Sequence, residues 1–228
     1  MTKLTSLIVI LLSLNFSLFS QNFLNTSGKS IVNQNGDTII LRGMGLGGWM
    51  VQEGYMMAPG GFSSTQYQIK DRLIELIGAE ETDIFYDNWL SNHVRKIDID
   101  SMKQWGFNLV RAPIHYNLFT EPIEKEPFPN AYTQKEIGFT LLDSLLSWCE
   151  QNEIYLMIDL HAAPGGQGYN ADISDYDPTK PSLWESTLNQ NKTVELWRRI
   201  AERYKDKEWI AGYDLINEPN WDIPGGIL

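Results

Sequence analysis

IAGYDLINEPNW, residues 210–221, joins an apolar run to an Asn-Glu-Pro tripeptide. The run is nearly continuous in apolar residues rather than alternating, the pattern of a strand covered on both faces. Pro219 lacks the amide a ladder needs, so Asn217 and Glu218 fall at the strand's C-terminal end. Three runs of the same kind stand upstream: TIILRGMG (38–45), FNLVRAPI (107–114) and IYLMIDLH (154–161). The intervening segments carry helical periodicity. Ile137, Leu141, Leu145 and Cys149 recur every four residues, widened by Leu142, Leu146 and Trp148; Val194, Trp197, Ile200, Ala201 and Tyr204 form a second stripe. Gly106, directly before FNLV, reads as a helix stop.

Apolar strands separated by amphipathic helices predict a parallel sheet covered by helices, either doubly wound or closed into a barrel. The polar residues choose between them. Arg111, then Asp159 and His161, then Asn217 and Glu218 come late in successive runs, so parallel strands bring them to one rim. Barrel enzymes build their sites on that rim from several strands. The expected fold is therefore α/β, a (β/α)8 barrel of which this chain holds about the first four units. Asn35-Gly36 in SIVNQNGDTIILRG predicts a β-hairpin ahead of it.

Composition sets the outer limits. The 228 residues are 43% hydrophobic and 21% charged, as expected of one globular domain with a sizeable core. A formal charge of -11 repels nucleic acid and suits a neutral ligand. Lys3, the apolar stretch from Leu4 to Phe19 and the small Ser20 read as a secretory signal over residues 1–20, although Leu18 departs from the usual small residue two positions earlier. A secreted or periplasmic protein without stable membrane insertion is expected, with residues 21–228 as its catalytic part. Cys149 is the sole cysteine, so no internal disulfide forms.

Three motifs compete for a function. GMGLGG (43–48) satisfies a dinucleotide-binding pattern, but WMVQEGYMMAPGG follows it with no helical stripe to receive a pyrophosphate. Its glycines are read as allowing close backbone approach. Asp172, Asp175 and Asp177 lie in a long polar loop without the spacing of a calcium loop, and turns with a helix entry are the expected reading. His115, Asp159 and His161 are the residues a metal-dependent hydrolase would use, without a recognised metal spacing.

Glu218 carries the remaining chemistry. A carboxyl projected into a partly dry rim has a raised pKa and serves as a general acid; glycoside hydrolysis pairs such an acid with a second carboxylate. Asn217 beside it can bond a sugar hydroxyl. A helix-entry cap or an ion pair with Arg111 is the competing reading for Glu218, and the residues alone leave the two level.

LINEPN, LRGMGLGGWM, GFNLVRAPIHY and YLMIDLHAAPGGQ, in this order, resemble glycoside hydrolase family 5, the cellulase and exo-β-1,3-glucanase family of retaining (β/α)8 barrels. The resemblance implies Glu218 as acid/base with Asn217 as its substrate-contacting neighbour. It implies Arg111 as the arginine supporting the nucleophile, with an ion pair to Asp159 or Glu218 as the structural alternative, and His161 as a lining residue of the sugar site. His115 is a rim candidate, whereas Asp159 is read as a satisfied interior carboxylate. Trp49, Tyr55 and Trp221 are candidate stacking platforms, with core packing as the alternative for each. The implied partner is a β-glucan or other polysaccharide, with no cofactor and no metal.

A complete barrel takes roughly 250 residues or more. The family's nucleophile comes from strand seven, and the expectation is that this chain ends before it, as an N-terminal half inactive by itself. A glycan-binding remnant without turnover is the alternative from a different class.

Overall fold

The computed structural model describes residues 23–59, 61, 63–223 and 226–227. The expected signal, residues 1–20, lies outside them. The described residues divide into two compact units, one within 23–39 and one from residue 40 onward. In the first, β1 (Asn25–Ser27) and β2 (Ser30–Val32) pair antiparallel. The turn at Asn35-Gly36 is made as expected, flanked by antiparallel backbone bonds from Asn33 N to Asp37 O at 3.0 Å and from Ile39 N to Ile31 O at 2.8 Å. Asn33 Oδ1 accepts from the amides of Asn35 and Asp37, both at 2.9 Å, and a single bridge joins Val32 to Thr38. A side chain thus reinforces a turn that the backbone pairing already closes.

The second unit is built on four parallel strands hydrogen-bonded in chain order. They are β3 (Gly43–Gly45), β4 (Leu109–His115), β5 (Tyr155–Ala162) and β6 (Ile210–Asp214). Between β3 and β4 lie α1 (Gly54–Met57), α2 (Gln66–Ile77), α3 (Ala79–Asn92) and α4 (Lys96–Gln104). α5 (Ile137–Gln151) links β4 to β5, and α6 (Ala171–Ser174) and α7 (Thr187–Tyr204) link β5 to β6. Each parallel pair is thus joined by a helical crossover, as that geometry demands. No helix begins within GMGLGG, as its sequel predicts. Gly106 ends α4 in a left-handed conformation (φ 86°), a stop that the sequence signals correctly.

The first strand is shorter than TIILRGMG suggests. Asn108 explains this: its side-chain amide accepts from Arg42 N at 2.6 Å and donates to Ile40 O at 2.9 Å, standing in for strand partners of those two groups.

Alternation along the central strands separates core from site. Val110, Ala112 and Ile114 of β4 and Leu156, Ile158 and Leu160 of β5 are fully buried, in one cluster with Leu142, Leu145, Leu146 and Cys149 of α5. The intervening residues Arg111, His115, Asp159 and His161 share the opposite face, because successive strand side chains point to opposite sides. The α5 stripe is centred on Gly138, Leu142, Leu145 and Cys149, and Ile137 is exposed, contrary to expectation. Gly138 sets this rotation: a Cβ there would stand 2.5 Å from the Phe119 ring. On α7 the buried positions are Asn189, Lys192, Thr193, Leu196, Ile200 and Tyr204, while Val194 is exposed. Polar residues with buried partners replace half of the apolar stripe the sequence suggests.

Candidate active site

One guanidinium organises the C-terminal ends of three strands. Arg111 Nη2 lies 3.0 Å from Asp159 Oδ2 on β5 and 2.8 Å from Asp214 Oδ2 on β6. The same nitrogen donates to Asn217 Oδ1 at 2.8 Å. The structural alternative for Arg111 is therefore present with Asp159 as the partner, and Asp214 joins it. Asp159 also accepts from His161 Nδ1 at 2.7 Å, and His161 Nε2 lies 3.3 Å from Glu53 Oε1 in the segment after β3. A continuous chain of opposite charges runs from Glu53 through His161, Asp159 and Arg111 to Asp214.

Burial by itself lowers the pKa of His161. The carboxylates at its two ring nitrogens outweigh that effect and raise it to about 9. Burial pushes the Asp159 carboxyl upward, against the pull of His161 and Arg111. At neutral pH the His161 ring is thus a cation with both nitrogens donating. Asn217 Nδ2, 3.4 Å from His161 Nε2, then has no acceptor there. Its amide oxygen is held by Arg111, which leaves the NH2 group as the donor available to a ligand.

The backbone around Asn217 is fixed independently. β6 ends at Asp214, four residues before Glu218, so the latter stands beyond the ladder rather than at its last rung. Asn217 N still donates to Leu160 O at 3.1 Å. Gln167, fully buried in the loop after β5, donates to Asn217 O at 2.9 Å and to His161 O at 2.7 Å, and accepts from Ala163 N at 3.0 Å.

Glu218 differs from expectation in its surroundings. It is exposed, and among the described residues its carboxylate has no hydrogen-bond or ion-pair partner. The partly dry setting expected of it is corrected, because the chain has already left the sheet. Its backbone is left-handed (φ 42°), a conformation that costs a non-glycine residue about 1–3 kcal/mol and persists where surroundings enforce it. Here the anchored Asn217 on one side, and Asn220 bridged to Gly168 on the other, hold it against the extended preference of a residue before proline. Tyr55 is exposed nearby; desolvation first, then Glu53, Glu218 and Asp172, raise the pKa of its phenol.

The remaining candidates separate. His115 is carried past a register shift at the end of β4 and pairs through Nε2 with Asp175 at 2.9 Å, apart from the His161 chain. His115, Asp159 and His161 therefore form no common ligand set, and among the described residues no group of three or more His, Cys, Asp or Glu has a metal-holding arrangement. Asp177 caps Thr179 and pairs with Lys180, so the aspartates of this loop serve turns and contacts rather than one centre. Trp49 is a core residue whose indole donates to Leu90 O at 2.8 Å; it presents no platform. Trp221 is buried beneath Tyr169, stacked at 4.2 Å, and Tyr169 is the half-exposed ring of the pair. Glu53, Asp214 and Gln167 are site residues that sequence reasoning did not single out. For Asp214 a signal existed, since it pairs in register with Asp159.

Side chains gathered at the C-terminal ends of consecutive parallel strands, with a free glutamate beside an anchored asparagine, define part of a (β/α)8 barrel laid out as carbohydrate hydrolases are. The sequence model for "Cellulase (glycosyl hydrolase family 5)" matches residues 66–224. The chain belongs to glycosyl hydrolase family 5. It is 36% identical over 198 residues to a β-xylosidase of Phanerodontia chrysosporium, covering 86% of this chain and 39% of that one. It is 32% identical over 190 residues to a probable glucan 1,3-β-glucosidase A of Aspergillus niger, covering 82% and 42%. The chain thus spans about two-fifths of the length of these curated relatives. The crystal structure of a rutinosidase from Aspergillus niger superposes with a TM-score of 0.61 at 17% identity, over 79% of this chain and 49% of that one, a likeness of fold.

Proposed function

We propose that this chain carries the acid/base side of a retaining β-glycosidase site acting on a β-glucan or related β-linked polysaccharide. The observation that carries the reading is the pair Asn217–Glu218: an asparagine fixed at both its backbone and its side-chain oxygen, beside an unpartnered glutamate held in a strained conformation. Glu218 protonates the leaving glycosidic oxygen as the bond breaks, then takes a proton from the attacking water. Asn217 donates its free NH2 to a sugar hydroxyl. Arg111 and His161 orient Asn217 and contribute positive charge to the rim, and Tyr55 stands beside Glu53 at its edge.

A retaining mechanism needs a second carboxylate about 5 to 5.5 Å from the first. Among the described residues, Glu53 and Asp159 are engaged by His161, and Asp159 and Asp214 by Arg111. None is free to attack an anomeric carbon. We infer that the nucleophile is a carboxylate other than these three and that residues 1–228 alone turn over slowly. The same observation favours the second reading, a chain that binds glycan without cleaving it. Export through the N-terminal apolar segment belongs to the proposal; it rests on Lys3 and the stretch to Phe19.

The test compares the 228-residue chain with a form that includes a nucleophile-bearing segment from the rest of the barrel. Both are assayed on β-1,3- and β-1,4-glucans and on aryl β-xylosides, and product anomers are followed by NMR. Retaining hydrolysis is expected in the longer form, reduced about 10²- to 10⁴-fold by Glu218→Gln. An unchanged rate in that variant sinks the assignment of Glu218.

A further inference from the structure

Glu218 stands between two tethers to one loop. On its N-terminal side Gln167 donates to Asn217 O at 2.9 Å. On its C-terminal side Asn220 meets the next two residues of that loop. Its Oδ1 accepts from Tyr169 N at 2.7 Å, its backbone oxygen accepts from the same amide at 3.4 Å, and a parallel bridge joins it to Gly168. Three consecutive residues, 167–169, thus hold the chain on both sides of the Glu218-Pro219 unit.

The seat for Asn220 is made by a missing side chain. A Cβ on Gly168 would stand 2.5 Å from Asn220 Oδ1 and 3.3 Å from Glu218 O. Gly168 is not among the left-handed glycines, so close approach rather than backbone conformation is what calls for glycine there. The loop is braced in turn. Ser174 Oγ, buried, donates to Gly168 O at 3.0 Å. Trp221, the residue after Asn220, is buried between Tyr169, stacked at 4.2 Å, and Tyr176, edge-on at 5.3 Å. The rings fix the main chain from which the Asn220 carboxamide reaches its seat.

These tethers oppose a local preference. A residue before proline favours extended conformations, because the proline Cδ crowds its backbone. Glu218 has φ 42° instead. Releasing the tether after it lets the 218–219 peptide swing towards the extended form and carries the carboxyl away from Asn217. A general acid works only within hydrogen-bond reach of the atom it protonates, so such a swing costs rate.

We infer that Asn220 is a positioning residue for the acid/base: seated on Gly168 and Tyr169, its carboxamide holds the backbone of Glu218 in the left-handed conformation from which the carboxyl acts. The catalytic consequence rests on the reading of Glu218 as the acid; the tether does not.

Backbone NMR of the 228-residue chain tests the tether, and kinetics of the form that includes the nucleophile-bearing segment test its consequence. Asn220→Ala and Gly168→Ala attack the same contact from opposite sides, so the outcome does not hang on one variant folding. In both, the Cα and Cβ shifts and the HN–Hα coupling of Glu218 are expected to move from left-handed towards extended values. Asn220→Asp keeps an acceptor for Tyr169 N and is expected to retain them. Both disrupting variants are expected to lower kcat/KM on a phenyl β-glucoside about 3- to 10-fold, the worth of one hydrogen bond. The 2,4-dinitrophenyl β-glucoside, whose leaving group departs without a proton, is expected to be spared. Unchanged Glu218 signals in both variants, or equal losses on the two substrates, overturn the inference. If Glu218→Gln itself treats the two substrates alike, the acid reading fails, and the NMR result still decides whether Asn220 holds the backbone.

Discussion

Arg111 donates to Asn217 Oδ1 at 2.8 Å through the nitrogen that also meets Asp159 and Asp214, so the residue beside the proposed acid is positioned from two strands away. Arg111 Nε also donates to Asp214 Oδ2 at 3.3 Å, a contact through a second nitrogen that a lysine ammonium cannot reproduce. Arg111→Ala leaves Asp159 and Asp214 facing each other with His161 as the remaining cation. The expected loss is about 2–4 kcal/mol, below that of a wholly buried pair, since the Arg111 and Asp214 side chains are 31% and 34% exposed. Urea midpoints measure it. A double-mutant cycle of Arg111→Ala with Asn217→Ala should give a coupling of about 0.5–3 kcal/mol; additive losses would show that Arg111 does not hold the asparagine.

His161 gives the fold a pH dependence. Its folded pKa, about 9, lies above the ordinary histidine value of 6.5, so the cation is bound more tightly in the folded state. Its contribution to stability is complete below pH 6.5 and declines as pH rises through about 9. The melting temperature should fall across that window, and His161→Gln should flatten the fall while lowering stability at pH 6. An identical pH profile in the variant would remove His161 as the cause.

Chelation should leave the protein unchanged. His115 is committed to Asp175, and His161 to Asp159 and Glu53. Dialysis against EDTA is expected to preserve melting temperature and glycan binding. A loss restored by one divalent ion would revive a metal-dependent mechanism built on other residues.

The parallel sheet was legible because its strands are nearly continuous apolar runs separated by helical stripes, and the rim was legible because Arg111, Asp159, His161 and Asn217 interrupt those runs. What stayed hidden follows from long-range contacts. Glu53 sits in a segment with no periodicity, and only the arrival of His161 from β5 gives it a role. Trp49 has the composition of a platform and the environment of a core residue, which sequence cannot separate. The helical stripes were read slightly out of phase for a related reason. At Gly138 the missing side chain admits Phe119; at Lys192 a polar atom enters the interior because Thr120 from elsewhere in the chain receives it, and at Thr193 because the hydroxyl donates to Asn189 O one turn back in α7.

Lys192 makes the strongest case for a partner deciding burial. Its side chain and that of Glu126 are 2% and 3% exposed, and they form an ion pair between α7 and the segment after β4. Lys192 Nζ also donates to Thr120 Oγ1 at 3.2 Å and lies 5.4 Å from the centre of the Tyr132 ring. Glu126 accepts in turn from Thr133 N and Oγ1. Lys192→Met retains the apolar stem and deletes the charge, so a buried carboxylate is left with neutral donors alone. A loss of about 3–5 kcal/mol is expected at pH 7, the usual result of removing one partner of a buried pair. Adding Glu126→Gln removes the orphaned charge but keeps an acceptor for Thr133, and should recover at least half of that loss. Acidification provides an independent check. Desolvation raises the Glu126 carboxyl, but Lys192 and Thr133 together hold it below its ordinary value, so the wild type loses part of the pair's contribution as pH falls towards the carboxylate range, whereas the fall is smaller in Lys192→Met and absent in the double variant. Urea unfolding at pH 7 and pH 5 distinguishes these outcomes. A loss below about 1 kcal/mol in Lys192→Met, the range of a surface ion pair, would mean that the pair does not fix this segment to α7.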